Sequence, residues 1–193
     1  TSDTAKNIYD WYSDSPDDWG SGIPYISGTG SMDSAGGIHI KSTNALGMSW
    51  PTASEVNPTG KRIEYLMTDL SSHGDVRAQF RLQIADRTTP DPGTSNGVYQ
   101  SKYDNVCYLG INSAAEGTAL TFDAATSRKF AFTATANAKL WIDDVLKLTL
   151  SNSAPNYSGK YLRLWVYHYG EATTSYVLVR AYSATPPAAL TFS

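Results

Sequence analysis

Val76-Arg77-Ala78-Gln79-Phe80-Arg81-Leu82-Gln83-Ile84 alternates apolar with polar side chains from one end to the other. A period of two is the pattern of a strand with one buried face, so Val76, Ala78, Phe80, Leu82 and Ile84 are expected to pack inward. Arg77, Gln79, Arg81 and Gln83 then stand on the opposite side. Outward along the chain the pattern repeats. Residues 161–169 separate Leu162, Leu164, Val166 and, by strict alternation, His168 from Tyr161, Arg163, Trp165, Tyr167 and Tyr169. Leu140 and Ile142, then Leu146, Leu148 and Leu150, flank Asp143-Asp144 as two arms of a tight hairpin. Further strands are expected near residues 38–40, 62–68, 106–111, 119–122, 129–133 and 176–182, each bounded by Gly, Pro, Asn, Asp or Ser. Nowhere does a 3.6-residue apolar stripe persist. About a dozen short strands predict an all-β, two-sheet antiparallel β-sandwich with almost no helix.

The 193 residues suit a single sandwich domain spanning 1–193, and the 41% hydrophobic content, with thirteen Tyr and five Trp, is enough to fill its core. Pro186-Pro187 marks where the domain ends, because proline cannot donate to a central ladder; 186–193 then reads as a tail or an added edge strand. Residues 13–22 and 87–97 read as loops, the second long enough to be functional. A low charged fraction of 17%, beside abundant hydroxyl residues, is typical of secreted, cell-surface or virion-surface β proteins. No signal-like stretch opens the chain, so an exported form would start at a processed end.

The formal charge of −3 argues against nucleic acid as a partner, since phosphate backbones are held through many Lys and Arg contacts. No apolar run approaches membrane-spanning length, so insertion into a membrane is not expected. Cys107 alternates with Leu109 and Ile111 and reads as buried, reduced packing; a lone cysteine makes no disulfide within the chain.

Several segments, in order, resemble the concanavalin-like and laminin-G-like jelly-roll domains of bacterial, archaeal and viral surface proteins. Asp17-Asp18-Trp19-Gly20 and Gly36-Gly37-Ile38-His39-Ile40-Lys41 look like that family's opening and first core strands. Lys139-Leu140-Trp141-Ile142-Asp143-Asp144-Val145-Leu146 looks like its aromatic-x-Asp-Gly hairpin, with Asp144 where Gly is usual. Tyr176-Val177-Leu178-Val179-Arg180-Ala181-Tyr182, followed by Pro186, resembles the closing strand of a related surface-protein family. The resemblance implies a jelly roll, and its members include glycan-binding modules, lectins, polysaccharide lyases and glycoside hydrolases. It does not choose among those activities.

The polar face formed by alternation is the candidate site: Arg77, Gln79 and Arg81 with Gln83 on one strand, and Tyr161, Arg163, Trp165 and Tyr167 on the other. Trp141 and Arg180, with Lys139 and Tyr182, could join it. Sugar rings stack C–H patches on aromatic faces, while Arg and Gln donate to hydroxyls or carboxylates, which would suit an anionic glycan. The bland alternative is that exposed strands favour Tyr and Arg through cross-strand packing alone. Asp10, Asp14, Asp17 and Asp18 could offer oxygens to calcium, but their spacing matches no dedicated calcium loop, and a solvated turn cluster is the better reading. Trp19 beside them reads as a core plug. No other cofactor or transition-metal spacing is present, and Gly28-Thr29-Gly30-Ser31 reads as a loop rather than a phosphate cradle.

Glycoside hydrolysis needs two facing carboxylates, and of Glu55, Glu64, Glu116 and Glu171 only Glu64 sits inside a strand. A lyase acting on uronic-acid glycans could use Tyr167 or His168 with Arg77, Gln79 and Arg81. The sequence therefore points first to a non-catalytic glycan-binding or adhesin domain at a surface. A structural subunit of a virion or filament, self-assembling through the same aromatic strands, comes second, and the lyase third.

Overall fold

The computed structural model describes residues 10–24, 26–72, 77–88, 96–102, 106–111, 115–116, 120–121, 126–151 and 153–182. Within them the chain runs β1 (Trp11–Ser13), a 3-10 turn (Pro16–Asp18), β2 (Ile23–Pro24), β3 (Gly30–Asp33), β4 (Ile38–Ser42), β5 (Met48–Pro51), β6 (Lys61–Ser72), β7 (Gln79–Ala85) and β8 (Gly97–Ser101). It continues through β9 (Val106–Ile111), β10 (Ala115–Glu116), β11 (Leu120–Thr121), β12 (Arg128–Thr133), β13 (Asn137–Ile142), β14 (Val145–Ser151), β15 (Tyr161–Tyr167) and β16 (Gly170–Ala181). All pairings are antiparallel. Sheet 1 has the order β14-β13-β12-β6-β16-β4-β3 with β1 beside β16; sheet 2 has β10-β9-β8-β7-β15-β5-β2 with β11 on β9. The two-sheet antiparallel sandwich is the architecture that the alternation predicts.

The core lies between the sheets and is filled by the inward half of each alternation. Ile38, Ile40, Ile63, Tyr65 and Met67 come from sheet 1, and Phe80, Leu82, Ile84, Leu109, Leu162 and Leu164 from sheet 2. Tyr65 stacks on Phe130 at 5.2 Å and meets Phe80 at 5.8 Å, while its hydroxyl takes a hydrogen bond from buried Gln100 Nε2. Burial, with neighbouring Cys107 adding to it, pushes the Tyr65 phenol well up, so it stays a neutral donor and acceptor. Burial also raises the Cys107 thiol far above its ordinary value, in keeping with inert packing. Trp19 is the expected plug; its Nε1 donates to Ser13 Oγ at 3.1 Å and its ring meets Trp11 edge-on at 5.7 Å.

Several local expectations are corrected. β7 starts at Gln79, so Arg77 sits in the turn before it, and Val76 lies outside the described residues. His168 does not continue inward with Val166. The strand stops at Tyr167, and His168 and Tyr169, both with positive φ (52° and 54°), carry the chain across from sheet 2 to sheet 1. Gly30-Ser31 opens the edge strand β3 rather than staying in a loop. The hairpin at Asp143-Asp144 is present, with φ of 51° and 62°, but a bulge breaks the register between Leu140 and Trp141. That irregularity opposes Leu146 to Trp141 on the outer side, 48% exposed, while Leu148 and Leu150 pack on the core.

Candidate outer-face site

β7 and β15 are direct neighbours in register, so the two polar rows that alternation singles out form one surface on the outside of sheet 2. Gln79 opposes Tyr167, Arg81 opposes Trp165, Gln83 opposes Arg163 and Ala85 opposes Tyr161. β5 sets Ser49 beside Trp165, while β8 and β9 set Tyr99 and then Tyr108 beyond Arg81. One transverse row therefore reads Ser49, Trp165, Arg81, Tyr99, Tyr108 across five strands.

This row is a stack. The Arg81 guanidinium lies 3.8 Å from the Trp165 ring centroid and 5.1 Å from that of Tyr99. Tyr99 meets Tyr108 at 5.3 Å, Trp165 lies almost parallel to Tyr167 at 5.2 Å, and His168 closes the end edge-on to Tyr167 at 3.9 Å. The positive guanidinium sits against the electron-rich ring faces, which favours this order of side chains. Arg81 Nη2 also donates to Gln79 Oε1 at 3.3 Å, which fixes its plane.

Outward does not mean exposed here. Trp165 is 1% exposed, Arg163 0%, Gln83 2% and Arg81 8%, so all four form the floor of the face rather than its surface. Arg163 donates from Nη2 to Ser49 Oγ and from Nη1 to the Asp86 carbonyl at 3.3 Å. Gly47 permits the covering of Trp165: a Cβ there would come within 2.8 Å of the indole Nε1 and 2.7 Å of the Val166 carbonyl. Among the described residues, Trp165 Nε1 has no hydrogen-bond acceptor. The half-buried residues that reach solvent are Gln79, Tyr99, Tyr108, Tyr161 and Tyr167. Tyr99 and Tyr108 are absent from the candidates read from sequence, although the inward assignment of Cys107, Leu109 and Ile111 already places Tyr108 outside.

Trp141 and Arg180 do not join this face; they lie on the outside of sheet 1. There Glu64 Oε2 accepts from Arg62 Nε at 3.2 Å and from Arg180 Nη2 at 3.1 Å, while Lys129 Nζ stands 3.3 Å from Oε1. Arg62 covers the Trp141 ring at 4.6 Å, and Trp141 meets Tyr182 at 6.1 Å. Burial works against the Lys129 ammonium, but Asp144 and Glu64 hold its pKa above the ordinary value. At the other end of sheet 1, His39 lies between Asp33 at 2.9 Å and Glu171 at 2.7 Å.

The aspartates weighed as calcium ligands are spread out. Asp10 faces Lys61, Asp14 accepts from Tyr12, and Asp17 and Asp18 lie in the turn capped by Ser15. Among the described residues no group of three or more His, Cys, Asp or Glu could hold a metal ion.

No protein-family model matches the chain, and no curated protein matches it in sequence. Solved structures share its fold. A Bacillus licheniformis β-glucanase is 16% identical with a TM-score of 0.63, over 88% of this chain and 97% of that one. A carbohydrate-binding module from Bacillus subtilis is 13% identical with a TM-score of 0.53, over 81% and 92%. The exoplasmic/lumenal domain of VIP36, in a Ca2+/Man3GlcNAc-bound form, is 11% identical with a TM-score of 0.58, over 91% and 90%. At these identities the likeness is one of fold, the two-sheet antiparallel jelly-roll sandwich.

Proposed function

We propose that this is a non-catalytic glycan-binding domain of an extracellular or surface protein, an adhesin module that uses the outside of sheet 2. The observation that carries the reading is the stacked row from Tyr167 through Trp165, Arg81 and Tyr99 to Tyr108. Rigid rings with hydroxyl tips suit the C–H faces and hydroxyls of sugars, and their rotamers are already fixed by the stack, which lowers the ordering cost of binding. Trp165 supports the platform from below, and Tyr99, Tyr108 and Tyr167 meet the ligand. Arg81, 8% exposed between the rings, gives the row a positive charge from within, which favours a glycan that carries carboxylates.

The same face argues against glycoside hydrolysis. Along β5, β7, β8, β9 and β15 no outward position is Asp or Glu, whereas that reaction needs two carboxylates across the scissile bond.

Affinity electrophoresis in gels containing neutral and uronic polysaccharides tests the proposal, with thermal melts run alongside. Tyr99→Ala and Tyr108→Ala should abolish retardation while the melt is retained, and Arg81→Gln should erase a preference for the uronic polymers. Absence of retardation by every polymer would overturn glycan binding. An unsaturated product absorbing in the ultraviolet would overturn the non-catalytic reading in favour of a lyase.

A further inference from the structure

A groove of about 410 Å3 opens at the other end of sheet 2, where the edges of the two sheets come together. It shares no residue with the stacked row. On one side is β3, the last strand of sheet 1; on the other are β5 and the segment leading into β2, the last strand of sheet 2. Trp19 and Trp50, 6% and 5% exposed, form its base with Met48, and Met32, Ser21 and Ser31 complete the walls.

Three properties define what fits. No lining residue carries an ionisable side chain, so the groove offers no counter-charge and a charged ligand would lose its hydration without compensation. The exposed edges of two indoles and two thioethers supply polarisable apolar surface at its base. Pairing with β4 engages one edge of β3, and among the described residues no strand pairs with the other, so that edge brings backbone N–H and C=O groups to the rim beside the Ser21 and Ser31 hydroxyls. The cradle is shaped by missing side chains. A Cβ on Gly22 would fall 2.7 Å from Met48 Cε and 2.8 Å from Trp50 Nε1, and one on Gly30 would fall 2.9 Å from Met48 Cγ.

We propose that this groove is a binding site for a neutral pyranose ring. A pyranose is uncharged, has an apolar C–H face for the apolar base, and is rimmed with hydroxyls that match the donors and acceptors of a strand edge. A hydrocarbon chain would leave that polar rim unpaired, and an extended peptide would need a longer edge than the four residues of β3.

The test is an NMR titration of the 15N-labelled protein with methyl glucoside, methyl galactoside, methyl mannoside and methyl xyloside, with galacturonate as the charged comparator. At least one neutral glycoside should shift the Trp19 and Trp50 indole N–H signals and the Ser31 amide saturably, and galacturonate should not. Ser31→Trp and Ser21→Tyr, which fill the groove from exposed positions, should each weaken that binding by roughly tenfold or more. Saturation by none of the four glycosides, or equal binding of galacturonate, would overturn the proposal. So would loss of the shifts in Tyr99→Ala with retention in Ser31→Trp, because the sugar would then belong to the sheet 2 face. Shifts of the same amides by an unstructured Thr/Val-rich hexapeptide but by no glycoside would make the groove a strand-capture edge instead.

Discussion

Each outer face of the sandwich carries an arginine over a tryptophan, Arg81 on Trp165 and Arg62 on Trp141, and the two pairs have opposite surroundings. On sheet 1 the guanidinium is bound into a charge network: Arg62 shares Glu64 with Arg180 and Lys129 and reaches Asp144 at 3.5 Å. On sheet 2 Arg81 lies between rings, and its tryptophan is sealed beneath. The same two residue types thus yield a face that satisfies itself through ion pairs and a face built of stacked π-surfaces. The neighbouring strands decide which, since Glu64 sits at the centre of one face and no outward carboxylate occupies the central strands of the other.

The largest expected difference follows from burial. Trp165→Ala should destabilise the fold by about 3–5 kcal/mol, the cost of emptying a large buried site. Trp141→Ala should cost about 1 kcal/mol, mainly the loss of its contact with Arg62. Chemical denaturation of the two variants side by side checks this; equal losses would mean that the two faces are alike after all. Next in size is Glu64→Ala, which should cost about 2–3 kcal/mol, because three cations lose a common partner but still reach water. Raising salt should narrow that deficit.

Acid should act on sheet 1 in particular. The Ala35 N–H above all, and the His39 imidazole, hold the Asp33 carboxyl below its ordinary value against the effect of burial. Burial raises Asp143, but the Lys129 N–H and the Arg128 guanidinium more than offset it and hold that carboxyl low as well. A carboxyl depressed in the fold binds fewer protons than in the unfolded chain. Its stabilisation is therefore complete above the ordinary value near about 4 and is lost as pH falls through the lowered one. Melting temperature should drop below about pH 4, and Asp143→Asn should flatten part of the drop. The smallest effect is expected at the turn. Asp144→Gly relieves a positive φ but gives up the pairs with Lys129 and Arg62, so stability should change by no more than roughly 0.5 kcal/mol.

The sandwich was legible because one face of nearly every long strand is apolar, as in Phe80, Leu82 and Ile84, and alternation then assigns both faces. It misled where the chain leaves the lattice. His168 obeys the period of two on paper, yet stands where the backbone crosses between sheets, and Leu146 falls on the wrong side of a bulge. Trp141 and Arg180 could not be assigned a sheet, because alternation says which way a side chain points but not which strand lies beside it. Burial of Trp165 was equally invisible: it depends on Gly47, more than a hundred positions away, coming close enough to cover the ring.

The crossing at His168-Tyr169 also sets the order in which the molecule can be completed. β15, on one side of it, lies between β5 and β7; β16, on the other, lies between β6 and the pair β1 and β4. Residues 161–181 thus supply an interior strand to both sheets at once, and among the described residues β1 has no partner strand until β16 arrives. A nascent chain that has not released this segment holds two half-sheets with unprotected central edges. The contacts that complete the sandwich join distant parts of the sequence, a topology that predicts slow folding.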